Sequence, residues 1–322
     1  MNFFKIIMLF VCFFVFNCMS KDISTASDQE SVELDKSKQY LTVLGIAQDA
    51  GYPHIDCFKD CCQVFYDGNE SKKLVSCLGL VDLKGNKKYM FDATPNFTEQ
   101  SRYLTEYHLD NGHIIDGIFL THAHIGHYTG LMYLGFEALG AEKVPVYMMP
   151  RMRQYIENNG PWSQLVSYNN IDIHKMKNDS VMSLDSGIQI TPLVVPHRDE
   201  FSETVGFRIQ GSKKAALFIP DIDKWERWQL DIVEEVKKVD YAFLDASFFK
   251  DGQLDRDMSR IPHPFTTETT TLFENETIET KNKVIFIHFN HSNPTIRKSH
   301  HLKDSILNLG FKFAKQGDVF NL

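Results

Sequence analysis

The sequence predicts an α/β protein, and three observations carry that expectation. Apolar runs of strand length recur along the chain, segments with helical spacing fall between them, and His or Asp closes one apolar run after another. Asp92, His122, His197, Asp221, Asp245 and His288 all occupy such ends. Strands that alternate with helices form a sheet covered by helical layers. Side chains at the strand ends can then converge on one rim while the strands themselves stay buried. The 322 residues are 43% hydrophobic and 24% charged, an ordinary balance for a globular protein. A net charge of −8 gives no sign of the basic face that nucleic-acid binders use, so no nucleic-acid partner is expected.

The first residues stand outside the fold. In "MNFFKIIMLFVCFFVFNC", Lys5 precedes an apolar run from Ile6 to Phe16. That run suits a secretory signal and falls short of the roughly 20 residues that span a bilayer. It ends at "VFNCMSKD", which resembles a bacterial lipobox with Cys18 as the residue to be lipidated. The other reading is an ordinary signal peptide with an incidental cysteine. Residues 1–17 are thus expected to be a lipoprotein-type signal peptide and 18–39 a polar, flexible tether. Residues 40–322 form the expected single folded domain, exported to the cell envelope or periplasm and held at a membrane by its lipid.

Along the folded part, "QYLTVLGIA" reads as a strand entering the loop "QDAGYPHIDC". "VSCLGLVDLKGNKKYMF" gives two apolar runs around a Lys-Gly-Asn turn, the pattern of a hairpin. "FTEQSRYLTEYHL" has helical spacing, and "IIDGIFLTHA" is a continuous apolar strand. "GLMYLGFEALG" reads as a helix and "VPVYMM" as a strand. The runs "SGIQITPLVVPH", "TVGFRIQG", "AALFIPD", "YAFLDAS" and "KVIFIHFNH" supply the remaining strands.

Residues 119–131, "FLTHAHIGHYTGL", place His122, His124 and His127 within six positions. Imidazoles at i and i+2 in a loop can address one ion, and a third at i+5 a neighbouring one. With added carboxylates they form hydrolytic metal sites. The run looks like H-x-H-x-D-H with Gly126 in the aspartate's place. Together with "FDATPN", "VPH", "IPD" and "IHFNH" it resembles the metallo-β-lactamase superfamily, over essentially all of residues 40–322. The resemblance implies an αββα sandwich. It implies one ion held by His122, His124 and His197, and a second held or bordered by His127, Asp221 and His288, with Asp221 bridging. Asp92 would orient the histidine loop. Zinc is the expected metal, as one or two ions, with manganese or iron as alternatives.

"LGIAQDAGYPHIDC" followed by "CC", and "FIHFNHSNP" near the end, look like the pyrroloquinoline-quinone biosynthesis B group. They also look like the phosphodiesterase of the carbon–phosphorus lyase pathway. Those relatives imply a structural zinc, here at Cys57, Cys61 and Cys62 in a C-x3-C-C spacing, with His291 as fourth ligand. A disulfide in an oxidising compartment is the competing reading of the same cysteines. Gly126 cannot ligate a metal. Either the second ion is lost or a carboxylate from elsewhere replaces the aspartate. Asp49 is the candidate, because its loop is expected to face the rim in this superfamily; its other reading is a turn cap.

"MSRIPHPF" places His263 where the phosphodiesterase family carries an extra histidine for proton transfer, which makes it the general-acid candidate. "ENNGPWSQLV" reads as a lid or pocket loop in which Trp162 and Gln164 meet substrate or, for the tryptophan, pack. Trp225 and Trp228 read as core. The leading expectation is a metal-dependent hydrolase that directs metal-activated hydroxide at an ester, phosphodiester or cyclic amide of a small molecule. A role like the quinone-biosynthesis B group in oxidative chemistry, and a non-catalytic metal-binding lipoprotein, are the alternatives.

Overall fold

β1 (Gln39–Gly45) explains the layering. All its residues are buried, Leu41 and Val43 in one apolar core and Tyr40 and Leu44 in another. Strand side chains alternate between faces, so a run apolar at both parities needs cover on both sides. The split recurs in β2 (Cys77–Asp82), β3 (Lys87–Phe91) and β4 (Gly117–Phe119). Leu78, Leu80, Tyr89, Phe91 and Phe119 enter the first core, and Cys77, Val81, Met90 and Ile118 the second. This computed structural model describes residues 38–322. Cys18, the expected signal peptide and nearly all of the tether lie outside the described residues.

β5 (Val144–Met148) and β6 (Ile171–Lys175) extend the first sheet. The second sheet is built from β7 (Met182–Ser183), β8 (Gln189–Val194), β9 (Val205–Gln210), β10 (Ala215–Ile219), β11 (Tyr241–Asp245), β12 (Val284–Ile287) and β13 (Lys312–Phe313). β14 (Val319–Asn321) returns to pair with β1, giving two seven-stranded sheets, β14-β1-β2-β3-β4-β5-β6 and β13-β12-β11-β10-β9-β8-β7. The expected hairpin pairs antiparallel with Leu78 opposite Phe91. β3, β4, β5 and β6 run parallel, as do β10, β11, β12 and β13. The sheets meet through aromatic contacts: Phe207 lies 5.2 Å from Phe91 and 6.0 Å from Phe119 between ring centres. Helices at Phe97–Tyr107 and Pro150–Asn158 bury Phe97, Leu104, Met152 and Ile156 in the second core and so cover the first sheet's outer face. Helices at Ile232–Lys237 and His301–Asn308 bury Ile232, Val236 and Ile306 among the residues of the other sheet. The result is an αββα sandwich.

Two expected elements differ. The helix expected over 130–140 is a 3-10 turn at Thr129–Leu134 followed by turns. Gly130 and Gly135 weaken a helix there. The backbone at Gly130 is instead drawn onto Ala93, whose carbonyl accepts the Gly130 N–H at 2.8 Å. The expected lid loop over 157–166 contains a short helix, Trp162–Ser167. Trp225 and Trp228 are buried as expected, with indole N–H groups donating to Thr269 Oγ1 and the Val194 carbonyl. Among the described residues no helix is long and apolar enough to cross a membrane.

Phe207 contacts both sheets, so Phe207→Ala should lower unfolding free energy by about 3–5 kcal/mol in denaturant titrations. A loss below about 1 kcal/mol would show that the inter-sheet aromatic layer contributes little.

Candidate metal centre

The ligand candidates emerge where strand ends gather on one edge. β4 runs into Thr121 and His122, β8 leads towards His197, β10 into Asp221, β11 ends at Asp245, and β12 is followed by His288. Asp221 is buried in the middle of them. Its Oδ2 lies 3.3 Å from His122 Nε2, 3.9 Å from His124 Nδ1 and 3.7 Å from His127 Nε2. Its Oδ1 lies 3.2 Å from His197 Nε2. Donor atoms at the rim fall into three overlapping groups, His122, His124, His197 and Asp221; Asp49, His127 and His288; and Asp221, Asp245, His263 and His288, each within 4.8 Å of one another.

Asp49 belongs to the second group: its Oδ1 is 3.4 Å from His127 Nε2 and 3.6 Å from His288 Nε2. It stands where an aspartate at 126 would interfere. A Cβ added to Gly126 would lie 2.5 Å from Asp49 Oδ1 and 2.6 Å from its Cα. The two positions cannot both carry aspartate in this backbone. Backbone pairing also fixes Asp49 beside His288. Gln48 N–H donates to the Phe289 carbonyl and Phe289 N–H to the Ile46 carbonyl, both at 2.8 Å, joining the exits of β1 and β12.

A group of buried atoms tests whether the residues fit metal ions. Asp49 Oδ1, His122 Nε2, His127 Nε2, Asp221 Oδ1 and His288 Nε2 are sealed from solvent with no hydrogen-bond partner. Such atoms are costly to bury unless something pairs with them. Carboxylate–imidazole distances among these residues, His124 and His197 run from 3.2 to 3.9 Å, starting near the roughly 3.3 Å that separates ligands of one tetrahedral zinc with bonds near 2.0–2.1 Å. The residues fit.

The far side of each ring is fixed. Asp92, fully buried at φ +74°, accepts hydrogen bonds from Thr121 N–H and from His127 Nδ1–H, each at 2.8 Å. That fixes the ring with Nε2 directed towards Asp49 and Asp221, the nitrogen that would meet a metal ion. Ser247 Oγ donates to Asp245 Oδ1 and accepts from His288 Nδ1 at 3.0 Å, with His288 itself held at φ +64°. Thr121 Oγ1 lies 2.9 Å from His122 Nδ1. Asp92 therefore acts through His127 and Thr121 as a positioning residue.

The carboxylates and imidazoles of the rim shift one another's titration. Burial opposes ionisation of Asp221, but the charges of His197 and His263 hold its pKa well below the usual range. Burial opposes ionisation of Asp49 as well, and the imidazoles of His127 and His288 close by outweigh it. Burial, reinforced by His127, pushes His122 down into the neutral, ligating form. Burial alone would lower His288, yet Asp245 and Asp49 raise it to about 9. Four buried or half-buried aspartates thus attract positive charge to the rim, and metal ions can supply it.

His263 stands at the edge. Its Nδ1 lies 2.8 Å from Asp245 Oδ2 and 3.2 Å from Asp221 Oδ1. Burial disfavours its charge, but Asp245 and Asp221 prevail and lift its pKa to about 10. Nε2 points the other way, 3.3 Å from the Gln48 amide. Asp245, Ser247, Gln48 and Asn290, whose amide donates to Gln48 at 2.7 Å, were not singled out in the sequence as site residues. Only the place of "YAFLDAS" at a strand end marked the first two.

Cys57, Cys61 and Cys62 come within 4.8 Å of one another, all as free thiols. Cys57 and Cys61 sulfurs stand 3.6 Å apart, near the roughly 3.8 Å edge of a zinc tetrahedron with Zn–S bonds of 2.3 Å and well beyond a disulfide bond. His291 packs its ring 4.2 Å from His54, with Nδ1 buried and unpaired. Burial lowers its pKa to about 4, keeping it neutral. His54, whose N–H donates to Cys62 Sγ, is a neighbour that the sequence did not mark. Trp162 packs on Tyr128, 4.9 Å between ring centres, and Gln164 is solvent-exposed.

An αββα sandwich with paired histidines and aspartates on one rim defines a metallo-β-lactamase-type fold. A family profile described as "Beta-lactamase superfamily domain" matches residues 87–289, and the chain belongs to that superfamily. Zn(2+)-bound PqqB from Methylobacterium extorquens is similar in structure, with TM-score 0.73 and 18% identity over 88% of this chain and 100% of that one. A diphosphatase from the PhnP family gives TM-score 0.62 and 23% identity over 88% and 97%. Human tRNase Z, short form, gives 0.54 and 16% over 87% and 98%. No curated protein sequence matches the chain. The first two neighbours agree with the groups that the sequence motifs resemble.

Zinc-loaded wild-type protein should carry about two ions at this rim, and Asp49→Ala should lose about one of them by elemental analysis. Gly126→Asp alone should add no ion, because its Cβ would meet both the Asp49 carboxylate and the backbone at residue 49. Unchanged metal content in Asp49→Ala would show that Asp49 holds none.

Proposed function

We propose that the chain is a metal-dependent hydrolase acting on an ester, phosphodiester or cyclic amide of a small molecule. The observation that carries this reading is the convergence of five sealed, unpartnered donor atoms on one rim. Bound metal ions would supply Lewis acidity, polarising the bond under attack and lowering the pKa of water. Zinc suits the donor set best, and manganese or iron can share histidine and carboxylate ligands.

The chain's own groups then divide the work. Asp92 and Ser247 hold the Nδ1 sides of His127 and His288, so both rings keep one orientation. Asp245 holds His263 through Nδ1. This is the arrangement by which a carboxylate orients an imidazole so that its other nitrogen meets the reacting group. His263 lines the neighbouring cavity together with Gln48, whose amide lies 3.3 Å from its Nε2, and a leaving-group oxygen there can receive its proton. Water adds across the bond overall: one product gains hydroxyl and the leaving group gains hydrogen. Export and anchoring through lipidated Cys18 form part of the same proposal, and would place the activity at the cell envelope.

With zinc or manganese, the full-length protein should turn over a chromogenic ester or phosphodiester. His124→Ala should abolish turnover. His263→Gln should lower kcat by about 10²–10⁴-fold while metal content stays that of wild type. Equal turnover by the His124→Ala protein would contradict the reading.

A further inference from the structure

We propose that the cavity beside His263 is a seat for an anionic leaving group, gripped by Arg198, Arg256 and Arg260. The inference rests on the hydrolase reading and extends it to substrate class: the departing half of the substrate carries a phosphate or carboxylate of its own. The cavity, ≈450 Å³, is lined by these three arginines together with Asp257, Gln48 and His263. Three guanidinium groups against one lining carboxylate make a local positive site in a chain whose net charge is −8. Arg198 follows His197 and places Nη2 3.4 Å from His124 Nε2, so the cavity opens directly from the metal rim.

Two of the arginines are free to bind. Among the described residues the arginines paired with carboxylates are Arg102, Arg153, Arg198, Arg208 and Arg227. Arg256 and Arg260 are not in that set, and both are exposed. Arg198 meets Glu200 only at 3.8 Å, with both side chains about half exposed. An oxyanion entering the cavity would meet guanidinium forks whose geometry matches carboxylate or phosphate oxygens.

The loop that carries them has its own support. Phe248, Met258, Ile261 and Phe265 form a small separate apolar cluster, and Phe248 and Phe265 make a backbone bridge at its base. Met258 is fully buried between the two arginine positions, and Ile261 precedes the Pro-His-Pro segment. The cluster therefore fixes Arg256, Arg260 and His263 on one wall. A group bound by the arginines lies on the side of His263, the residue placed to protonate what departs. This makes the cavity a leaving-group site.

The test compares paired substrates on zinc-loaded full-length protein: one chromogenic ester or diester with a neutral leaving group, and its counterparts with a carboxylate or a phosphate on that group. Wild type should prefer an anionic counterpart by about 10–100-fold in kcat/KM. The double variant Arg256→Gln/Arg260→Gln should lose that preference yet keep wild-type turnover of the neutral substrate. The carboxylate and phosphate arms decide which oxyanion the cavity favours. Calorimetric binding of glycerol 2-phosphate and of succinate gives a second readout that needs no turnover. Weaker binding in the double variant, without turnover of any substrate, would uphold the anion seat and overturn the hydrolase reading. Equal kcat/KM for charged and neutral leaving groups in wild type, with binding unchanged in the double variant, would overturn the seat and leave the hydrolase intact.

Discussion

Carboxylates gathered at one poorly solvated edge impose the governing constraint. Asp92, Asp221 and Asp245 are buried, and Asp49 presents a sealed oxygen to two histidines. Negative charge in that setting needs positive charge close by. Histidines at the ends of neighbouring strands answer the need, and their donor atoms have the spacing to hold metal ions there. The depressed pKa values of Asp49 and Asp221 and the raised ones of His263 and His288 are two sides of this balance.

The missing aspartate at Gly126 fits the same constraint. A side chain there would collide with Asp49, so glycine clears the space that Asp49 uses. Asp49 reaches that space because β1 and β12 exchange backbone hydrogen bonds just before their ligand loops diverge. Loss of a carboxylate in one loop and its appearance in another are thus a single steric arrangement. The second group of donors keeps an acidic member, drawn from the other side of the rim.

Much of this was legible in the sequence, for reasons that can be stated. Strands covered on both faces must be apolar at both parities, which makes runs such as "AALFI" and "VIFI" conspicuous. A histidine or aspartate at the end of such a run stands out, so the candidate ligands could be read directly. Parts that depend on contacts between distant loops were less visible. Ser247, Gln48 and Asn290 have ordinary polar side chains whose roles come from what the fold places beside them. Gly130 looked like part of a helix because its approach to the Ala93 backbone has no local signature. "ENNGPWSQLV" reads as a loop, yet Trp162 packs on Tyr128 and a short helix forms from Trp162. Arg256 and Arg260 lie in a segment without periodicity, and only the cluster around Met258 gives them a common direction.

Anomalous diffraction from zinc-loaded crystals tests the central claim most directly. The account predicts two peaks about 3.5–4 Å apart, the usual spacing of paired catalytic ions. One should lie among His122, His124 and His197, and the other against His127, His288 and the Asp49 carboxylate, with Asp221 between them. A single peak at the three-histidine group, with Asp49 turned away from the rim, would contradict it.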